Sequence, residues 1–193
     1  MERPMGHKER KIALIALLKD SSEEVKQSAA KALDRIETKP KLELLIKAVS
    51  DGDKLTRLRA VNALGEFQDD EAIPPLLTAL NDPEIEVKGA AIKGLGQRAN
   101  PKIFPALLQK LNESSVALRV LAIDALSNFK DKNVGDILIN LLREKDQQIV
   151  MAAIEGLGKL GEAKAEGPLL QLLSHPDPRL RSRAALALGS LKD

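Results

Sequence analysis

Residues 82–96 read DPEIEVKGAAIKGLG, and a shift of 31 positions in either direction reaches a similar stretch. The same period keeps three ladders of one residue type in register along the chain. The ladders are Ala29, Ala60, Ala91, Ala122, Ala153 and Ala184; Leu33, Leu64, Leu95, Leu126, Leu157 and Leu188; and Leu14, Leu45, Leu76, Leu107, Leu138 and Leu169. The pattern predicts a leader, residues 1–7, and then a single solenoid domain of six copies: residues 8–38, 39–69, 70–100, 101–131, 132–162 and 163–193.

Each copy is predicted to form two antiparallel helices joined by a turn near its middle. In the first helix, apolar residues recur at Leu14 and Leu18 and their equivalents, which indicates a buried face. The position of Ala16 is mostly polar in the other copies and should face water. The second helix is predicted to bury a stripe with helical periodicity: Val25, Ala29, Ala32, Leu33 and Ile36.

The turns contain residues that favour the start of a helix. Asp82-Pro83 and Asp177-Pro178 place an acceptor side chain before a residue suited to the first helical turn. The acceptors predicted for other copies are Ser22, Asp53, Ser115 and Asp146. Glycine inside a helix costs up to about 1 kcal/mol relative to alanine. The glycines of the second helices therefore predict close helix packing or a nearby helix end: Gly65, Gly94, Gly96, Gly156, Gly158 and Gly189.

The turn and second helix follow the pattern D-P-x-V-[RK]-x-x-A-A-x-A-L-G-x-[IL]-G, kept best in residues 82–96 and nearly as well in residues 177–189. This pattern resembles the HEAT-like repeats first associated with phycobilisome lyases, over essentially the whole chain. The resemblance implies an all-α fold, an α-solenoid or superhelix of antiparallel helix pairs of the HEAT and armadillo type. It also implies that the first helices are convex and the second helices concave. The family includes scaffolds, lyase subunits and designed binders.

Composition narrows the classes of function. The 30 Lys and Arg residues nearly balance the 28 Asp and Glu residues, so no overall field favours nucleic acid or an anionic membrane. The chain has no cysteine, which excludes disulfides, thiolate metal sites and a cysteine nucleophile. With three Phe and no Trp or Tyr, few side chains can stack on bases or cofactors. The charged N-terminus and the absence of long apolar runs predict a cytoplasmic protein without a membrane partner.

A ladder of basic residues, one per copy, could follow a phosphate backbone. It consists of Lys26, Arg57, Lys88, Arg119 and Arg181, and is interrupted by Val150. Acidic residues recur with the same period at Asp20, Asp51, Asp82, Glu113 and Glu144. HEAT-like repeats resemble one another in pairing such acids and bases along the turns. A structural ladder is therefore favoured over nucleic-acid binding.

The candidate binding surface is the face of the second helices opposite the invariant alanines. It carries Gln27, Leu58, Gly89, Val120, Met151 and Ser182. Three of these six are apolar where polar residues are expected, and Leu55, Ala117 and Leu121 lie beside them, which indicates a protein-binding patch. The alternative in copy 2 is a register shift, because the polar Thr56 takes the place of Val25 and could turn Leu55 and Leu58 inward.

The partner-binding residues predicted on this concave face are Leu58, Arg59, Val120, Leu121 and Met151, with Lys31, Arg35 and Arg183 at the rim. An apolar centre with basic flanks fits a partner protein with an apolar centre and acidic flanks.

No catalytic, cofactor-binding or metal-binding residue is predicted, since no nucleophile constellation, phosphate loop or metal-ligand spacing is found. His7 and His175 lie far apart, so the paired His-Glu motifs of the HEAT-repeat diiron hydroxylases are not matched. His175 takes the acidic position of the ladder and is predicted to be a turn residue.

The two ends of the array are predicted to differ. Copy 1 has Arg10 and Lys11 where later copies have Leu42, Ile73 or Phe104, so it resembles a polar cap. The last copy ends in the apolar run of residues 184–188, which suggests a homodimer through this C-terminal end or a small exposed edge.

These observations predict a non-catalytic scaffold or adaptor that binds another protein on its concave surface and carries no cofactor. The resemblance also implies an alternative, an accessory role in attaching or releasing a phycobilin or other tetrapyrrole. DNA binding of the kind found in HEAT-like alkylpurine glycosylases, which resemble this fold, is less favoured because the net charge is close to zero.

Overall fold

The fold is all-α in this computed structural model, which describes residues 6–67, 69–98, 100–129 and 131–192. Residues 1–5 of the predicted leader, and the side chains of His7, Thr38 and Lys132, lie outside the described part. The helices are α1 His7–Leu17, α2 Glu23–Asp51, α3 Lys54–Glu66, α4 Ile73–Ala79, α5 Ile85–Gly96, α6 Phe104–Gln109, α7 Val116–Leu126, α8 Lys132–Leu141, α9 Gln147–Leu160, α10 Glu166–Leu172 and α11 Pro178–Leu188. Short 3₁₀ turns adjoin α4, α6 and α10 at Asp70–Ala72, Lys110–Asn112 and Ala163–Ala165. No helix in the described ranges is long and apolar enough to cross a membrane.

Most of the predicted helix starts are confirmed. The side chains that accept a backbone N–H in the first turn are Asp53, Ser115, Asp146 and Asp177. The prediction is wrong for Ser22, which is the N-cap residue of α2 but whose side chain accepts no backbone N–H of the first turn. It is also wrong at Pro83, since α5 begins two residues later, at Ile85.

The second helices form the inner layer of the array. They pack side by side, α3 on α5, α5 on α7, α7 on α9 and α9 on α11, whereas the first helices contact one another much less. When the helices of one layer are packed closely and those of the other layer are farther apart, the double layer curves so that the closely packed layer lies on the inside. The second helices therefore line the concave surface, as the resemblance implied.

Glycine sets how closely the second helices approach, which confirms the close-packing prediction. A Cβ atom added to Gly94 would lie 2.9 Å from the Cα of Gly65, and one added to Gly96 would lie 2.5 Å from the Cβ of Ala125. The next two junctions pair Ser127 with Gly156 and Gly158 with Ala187. Each of these four junctions thus has a glycine on at least one side.

The core is continuous from Leu42 to Ala187 and is built from the predicted ladders. Leu64, Leu95, Leu126 and Leu157 are fully buried, while Leu33 and Leu188, at the same repeat position in the first and last copies, are only half-buried. The residues at the position of Ala16 are all exposed, as predicted: Ala16, Lys47, Thr78, Gln109, Asn140 and Gln171.

The first copy departs from this stacking. Helix α2 passes through the boundary between copies 1 and 2 without a turn and contains Pro40 in its interior, although proline usually ends or kinks a helix. Helix α1 and residues 23–38 of α2 form a hairpin that we call the arm. The continuous core includes no described residue of the arm, and Ala29 is buried separately from that core.

Asp34 provides a physical reason for the open arm. It occupies the repeat position of Gly65, Gly96 and Gly158, and its partner position in copy 2 is Ala63, so this junction has no glycine. A carboxylate there would be pressed against the neighbouring helix without a hydrogen-bond partner, which is costly. A cleft of about 640 Å³, lined by both Asp34 and Ala63, takes the place of the contact.

The predicted polar cap of copy 1 is wrong. Helix α1 packs mainly on α2, and this leaves its outer apolar side chains exposed: Ile12, Ile15, Leu17 and Leu18. In the run of residues 184–188 of the last copy, Ala184 and Ala187 are buried, and Leu186 is 72% exposed.

Candidate functional site

The basic ladder is engaged in ion pairs between neighbouring copies, which confirms the structural interpretation of its spacing. Each base binds the acid of the next copy in the pairs Arg57–Asp82, Lys88–Glu113 and Arg119–Glu144, with N–O distances of 2.6, 3.5 and 2.7 Å. The two ends of the ladder differ: Lys26 pairs with Glu23 in its own helix, and Arg181 donates to the backbone oxygens of His175 and Pro176.

Two of the ladder carboxylates, Asp82 and Glu113, are held in their ionised form. The side-chain hydrogen bond from Arg57 keeps the pKa of Asp82 below its usual value, and the bond from Lys110 does the same for the pKa of Glu113. His175 is a turn residue, as predicted, since its Nδ1 accepts the backbone N–H of Asp177 at 3.0 Å. The described residues contain no cluster of three or more His, Asp or Glu side chains that could hold a metal ion.

The apolar residues predicted on the concave face are half-buried rather than free in water. Leu58, Val120, Leu121 and Met151 all pack against the core with part of their surface. Gly89 is buried, because the side chain of Leu121 reaches over it. Sequence spacing therefore identified the correct helices but overestimated the exposure of these side chains.

Three large apolar side chains on the second helices are more exposed than Leu58, Val120, Leu121 and Met151. Leu55 is 51% exposed, which argues against the inward turn considered for it, and Ile85 is 49% exposed. Leu186 is 72% exposed and was missed. Its signal is present in the sequence, since this repeat position is polar in the other copies, at Lys31, Asn62, Lys93, Asp124 and Glu155, and all six residues are exposed.

Two grooves on the concave surface are lined by several of the predicted residues and by two of the three exposed side chains. The first, of about 380 Å³, crosses α3, α5 and α7 and brings together Leu58, Gly89 and Leu121 with Ile85 and Lys93. We call it the Gly89 groove.

The second groove, of about 510 Å³, lies between α9 and α11 and brings Met151 together with Arg183 and Leu186. We call it the Leu186 groove. The other predicted residues lie elsewhere: Val120 and Arg59 line neither groove, and Lys31 and Arg35 line the cleft beside the arm.

The predicted basic rim is partly neutralised. Arg183 pairs with Glu155, and Arg35 lies 3.8 Å from a carboxylate oxygen of Glu71. In contrast, Lys31, Arg59 and Lys93 form no ion pair with any residue in the described ranges. These three bases lie on copies 1 to 3, beside the arm and the Gly89 groove.

Comparison with known proteins identifies the family. The family model for HEAT repeats matches residues 12–84, 73–155 and 136–193. The chain belongs to the HEAT-repeat family. No curated protein sequence shows significant similarity to this HEAT-repeat protein.

One solved structure that resembles the HEAT-repeat protein comes from a lyase complex. The complex of CpcE and CpcF of phycocyanin lyase from Nostoc sp. PCC7120 is 27% identical, with a TM-score of 0.67 over 78% of this chain and 65% of that chain. The match thus spans less than two thirds of the Nostoc chain.

Two further structures show the fold alone. YibA of Escherichia coli is 21% identical, with a TM-score of 0.64 over 97% of this chain and 76% of its own. A designed armadillo repeat protein in complex with the peptide (KR)4 is 19% identical, with a TM-score of 0.57 over 93% of this chain and 98% of its own.

Proposed function

We propose that this HEAT-repeat protein is a non-catalytic scaffold or adaptor that binds another protein on its concave surface. The observation that carries the proposal is the pair of apolar grooves on the second helices, which the described part of the chain leaves unfilled. Concave apolar surface with a few polar groups at its edge is typical of binding sites. The residues proposed to contact the partner are Leu58, Arg59, Val120, Leu121 and Met151, with Lys31, Arg35 and Arg183 at the rim.

A comparison of captured proteins tests this proposal. The wild-type protein and a Met151→Glu/Leu186→Glu variant would be used to purify partners from the native cell extract, and mass spectrometry would identify them. The matched control, Thr78→Glu/Gln109→Glu, places the same charges at exposed positions of the first helices. We expect a partner that the wild type and the control retain and the groove variant loses. Equal recovery by all three folded proteins would contradict concave binding.

A second candidate is an accessory role in attaching or releasing a phycobilin or other tetrapyrrole. Its support is the 27% identity to the complex of CpcE and CpcF of phycocyanin lyase. Visible absorbance of the protein, purified with its partners from a pigmented source, would support this role. A colourless complex of defined protein composition would instead favour the plain scaffold.

The remaining parts of the proposal concern organisation and assembly. We propose one solenoid domain of six copies, located in the cytoplasm. A homodimer through the C-terminal end is supported by the exposed side chains of Leu170 and Leu173, whose equivalents in the middle copies are buried or half-buried. Sedimentation equilibrium of the wild type and of Leu173→Glu would test it, since only the wild type should dimerise. Nucleic-acid binding has less support, because three ladder bases are engaged in ion pairs.

A further inference from the structure

We propose that the Gly89 groove receives one large apolar side chain of the partner, while a carboxylate of the same segment binds Lys93. This inference rests on the proposed function, since it specifies the chemistry that the concave surface recognises. It commits to an acidic segment with an apolar anchor and excludes a basic one.

The shape of the groove follows from the missing side chain at Gly89. The same repeat position holds Leu58, Val120 and Met151 in copies 2, 4 and 5, and each of these side chains occupies the space against its neighbours. In copy 3 the position has no side chain, Leu121 covers the glycine, and the groove of about 380 Å³ opens beside it between α3, α5 and α7. This volume exceeds that of one Leu or Phe side chain.

The walls of the groove are chiefly apolar. Leu58, Leu118, Leu121 and Ala90 form its inner surface, and Ile85 stands at its edge with 49% of its surface exposed. An apolar side chain that enters would remove both itself and these groups from water, which favours binding.

The ionised side chains at the groove determine which partner residues can lie next to the apolar anchor. Two ionised side chains line it, Glu86 and Lys93. Glu86 shares the ammonium of Lys54 with Glu84, since Nζ of Lys54 lies 2.9 Å from Oε1 of Glu86 and 3.0 Å from Oε2 of Glu84, whereas Lys93 forms no ion pair with a described residue. Arg59, which precedes the groove on α3, also forms none. Lys93 is therefore the lining side chain that is free to bind a carboxylate of the partner, and it disfavours a basic side chain at the same place.

The variant that tests the groove fills it without disturbing the fold. A Cβ atom added to Gly89 would lie 3.2 Å from Cδ1 of Leu121, the far end of a flexible side chain that can turn away. Gly89→Leu is therefore expected to fold, which circular dichroism and thermal unfolding would verify. Asn140→Leu is the control, because it adds the same side chain at an exposed position of the first helix α8, away from both grooves.

The charge is tested by Lys93→Glu, with Lys47→Glu on an exposed part of α2 as its control. The probes are three capped nonapeptides titrated into ¹⁵N-labelled protein: Phe flanked by four Glu on each side, Ala in the same context, and Phe flanked by Lys. We expect the Phe/Glu peptide to shift the amide signals of residues 85–93. We also expect Gly89→Leu and Lys93→Glu each to weaken its binding by at least about tenfold, with both controls unchanged.

Three results would overturn the inference. These are no shift at residues 85–93 up to about 1 mM peptide, equal binding of the Ala/Glu or Phe/Lys peptide, or undiminished binding by Gly89→Leu. The failure of the inference is separable from that of the proposed function. A native partner lost by Met151→Glu/Leu186→Glu but kept by Gly89→Leu would leave concave binding intact and remove only the Gly89 groove from it.

Discussion

Arg57 and Asp82 form a two-point ion pair that joins neighbouring copies, with Nε 2.6 Å from Oδ2 and Nη2 2.9 Å from Oδ1. Both side chains are largely buried, and Asp82 also accepts the backbone N–H of Glu84 at 2.9 Å. At the last junction the corresponding positions hold Val150 and His175, so the base and the acid are replaced together. The pair therefore acts as one structural unit.

Asp82→Asn should lower the free energy of unfolding by about 1.5–3 kcal/mol at neutral pH, because the hydrogen bonds to a charged group are weakened. Urea denaturation monitored by circular dichroism would measure the change. Asp136→Asn is the control, since Asp136 pairs with Lys164 on the exposed surface. It should change the stability by less than about 0.5 kcal/mol.

The Asp82→Asn effect should depend on pH. Because the hydrogen bond from Arg57 lowers the pKa of Asp82 in the folded state, the unfolded chain takes up this proton first. The contribution of Asp82 to stability is then complete above the unfolded pKa, roughly 3.9, and is lost as the pH falls through the lower folded pKa. The stability difference between wild type and Asp82→Asn should therefore shrink below about pH 4. A difference that remained constant down to about pH 2.5 would contradict a role for the charge.

Gly96→Ala should destabilise the protein by about 1–3 kcal/mol, although alanine is the better helix former. The added Cβ would lie 2.5 Å from the Cβ and 2.8 Å from the Cα of Ala125, so the neighbouring backbone would have to move. Gly167→Ala is the matched control in α10, where no atom lies within 4 Å of the added Cβ. It should be neutral or stabilise by up to about 1 kcal/mol. Equal effects in thermal unfolding would show that Gly96 does not set the helix spacing.

Asp34→Gly should allow the arm to close on copy 2, because the junction would then have the glycine found at the other four. The protein contains no native cysteine, so spin labels can be placed by Lys31→Cys and Asn62→Cys. We expect their separation to shorten toward that of a reference pair at Asn62 and Lys93, one repeat further along. Asp34→Lys replaces the carboxylate by a longer charged side chain and should leave the arm open. Closure in both variants, or in neither, would contradict the role given to Asp34.

Leu95→Ala should cost about 2–5 kcal/mol, since Leu95 is fully buried at the centre of the array. Leu55→Ala, at a half-exposed position of α3, should cost less than about 0.5 kcal/mol. Leu188 has the same repeat position in the last copy and is only half-buried, so Leu188→Ala should fall between them. Urea denaturation of the three variants gives this order, and a cost at Leu95 as small as that at Leu55 would contradict the helix register.

Sequence reasoning was most successful where a property depends on local periodicity. The ladder that contains Leu95 is buried, the position of Ala16 is exposed, and the base of each middle copy binds the acid of the next. It was less successful on the concave surface. Val120 and Met151 are correctly placed on the inner helices, but they are half-buried, and the more exposed Leu186 was missed.

The sequence by itself determined the period, the helix pairs, the buried ladders and the ion-pair ladder, because a helix repeats its faces at fixed intervals and neighbouring copies have similar sequences. Only the tertiary structure decided how much of each concave side chain remains in water. That quantity depends on side chains about one repeat away, as where Leu121 covers Gly89 and leaves a groove beside it. The open arm also required the structure. Asp34 is visible in the sequence, but its consequence depends on how closely α2 would have to approach Ala63.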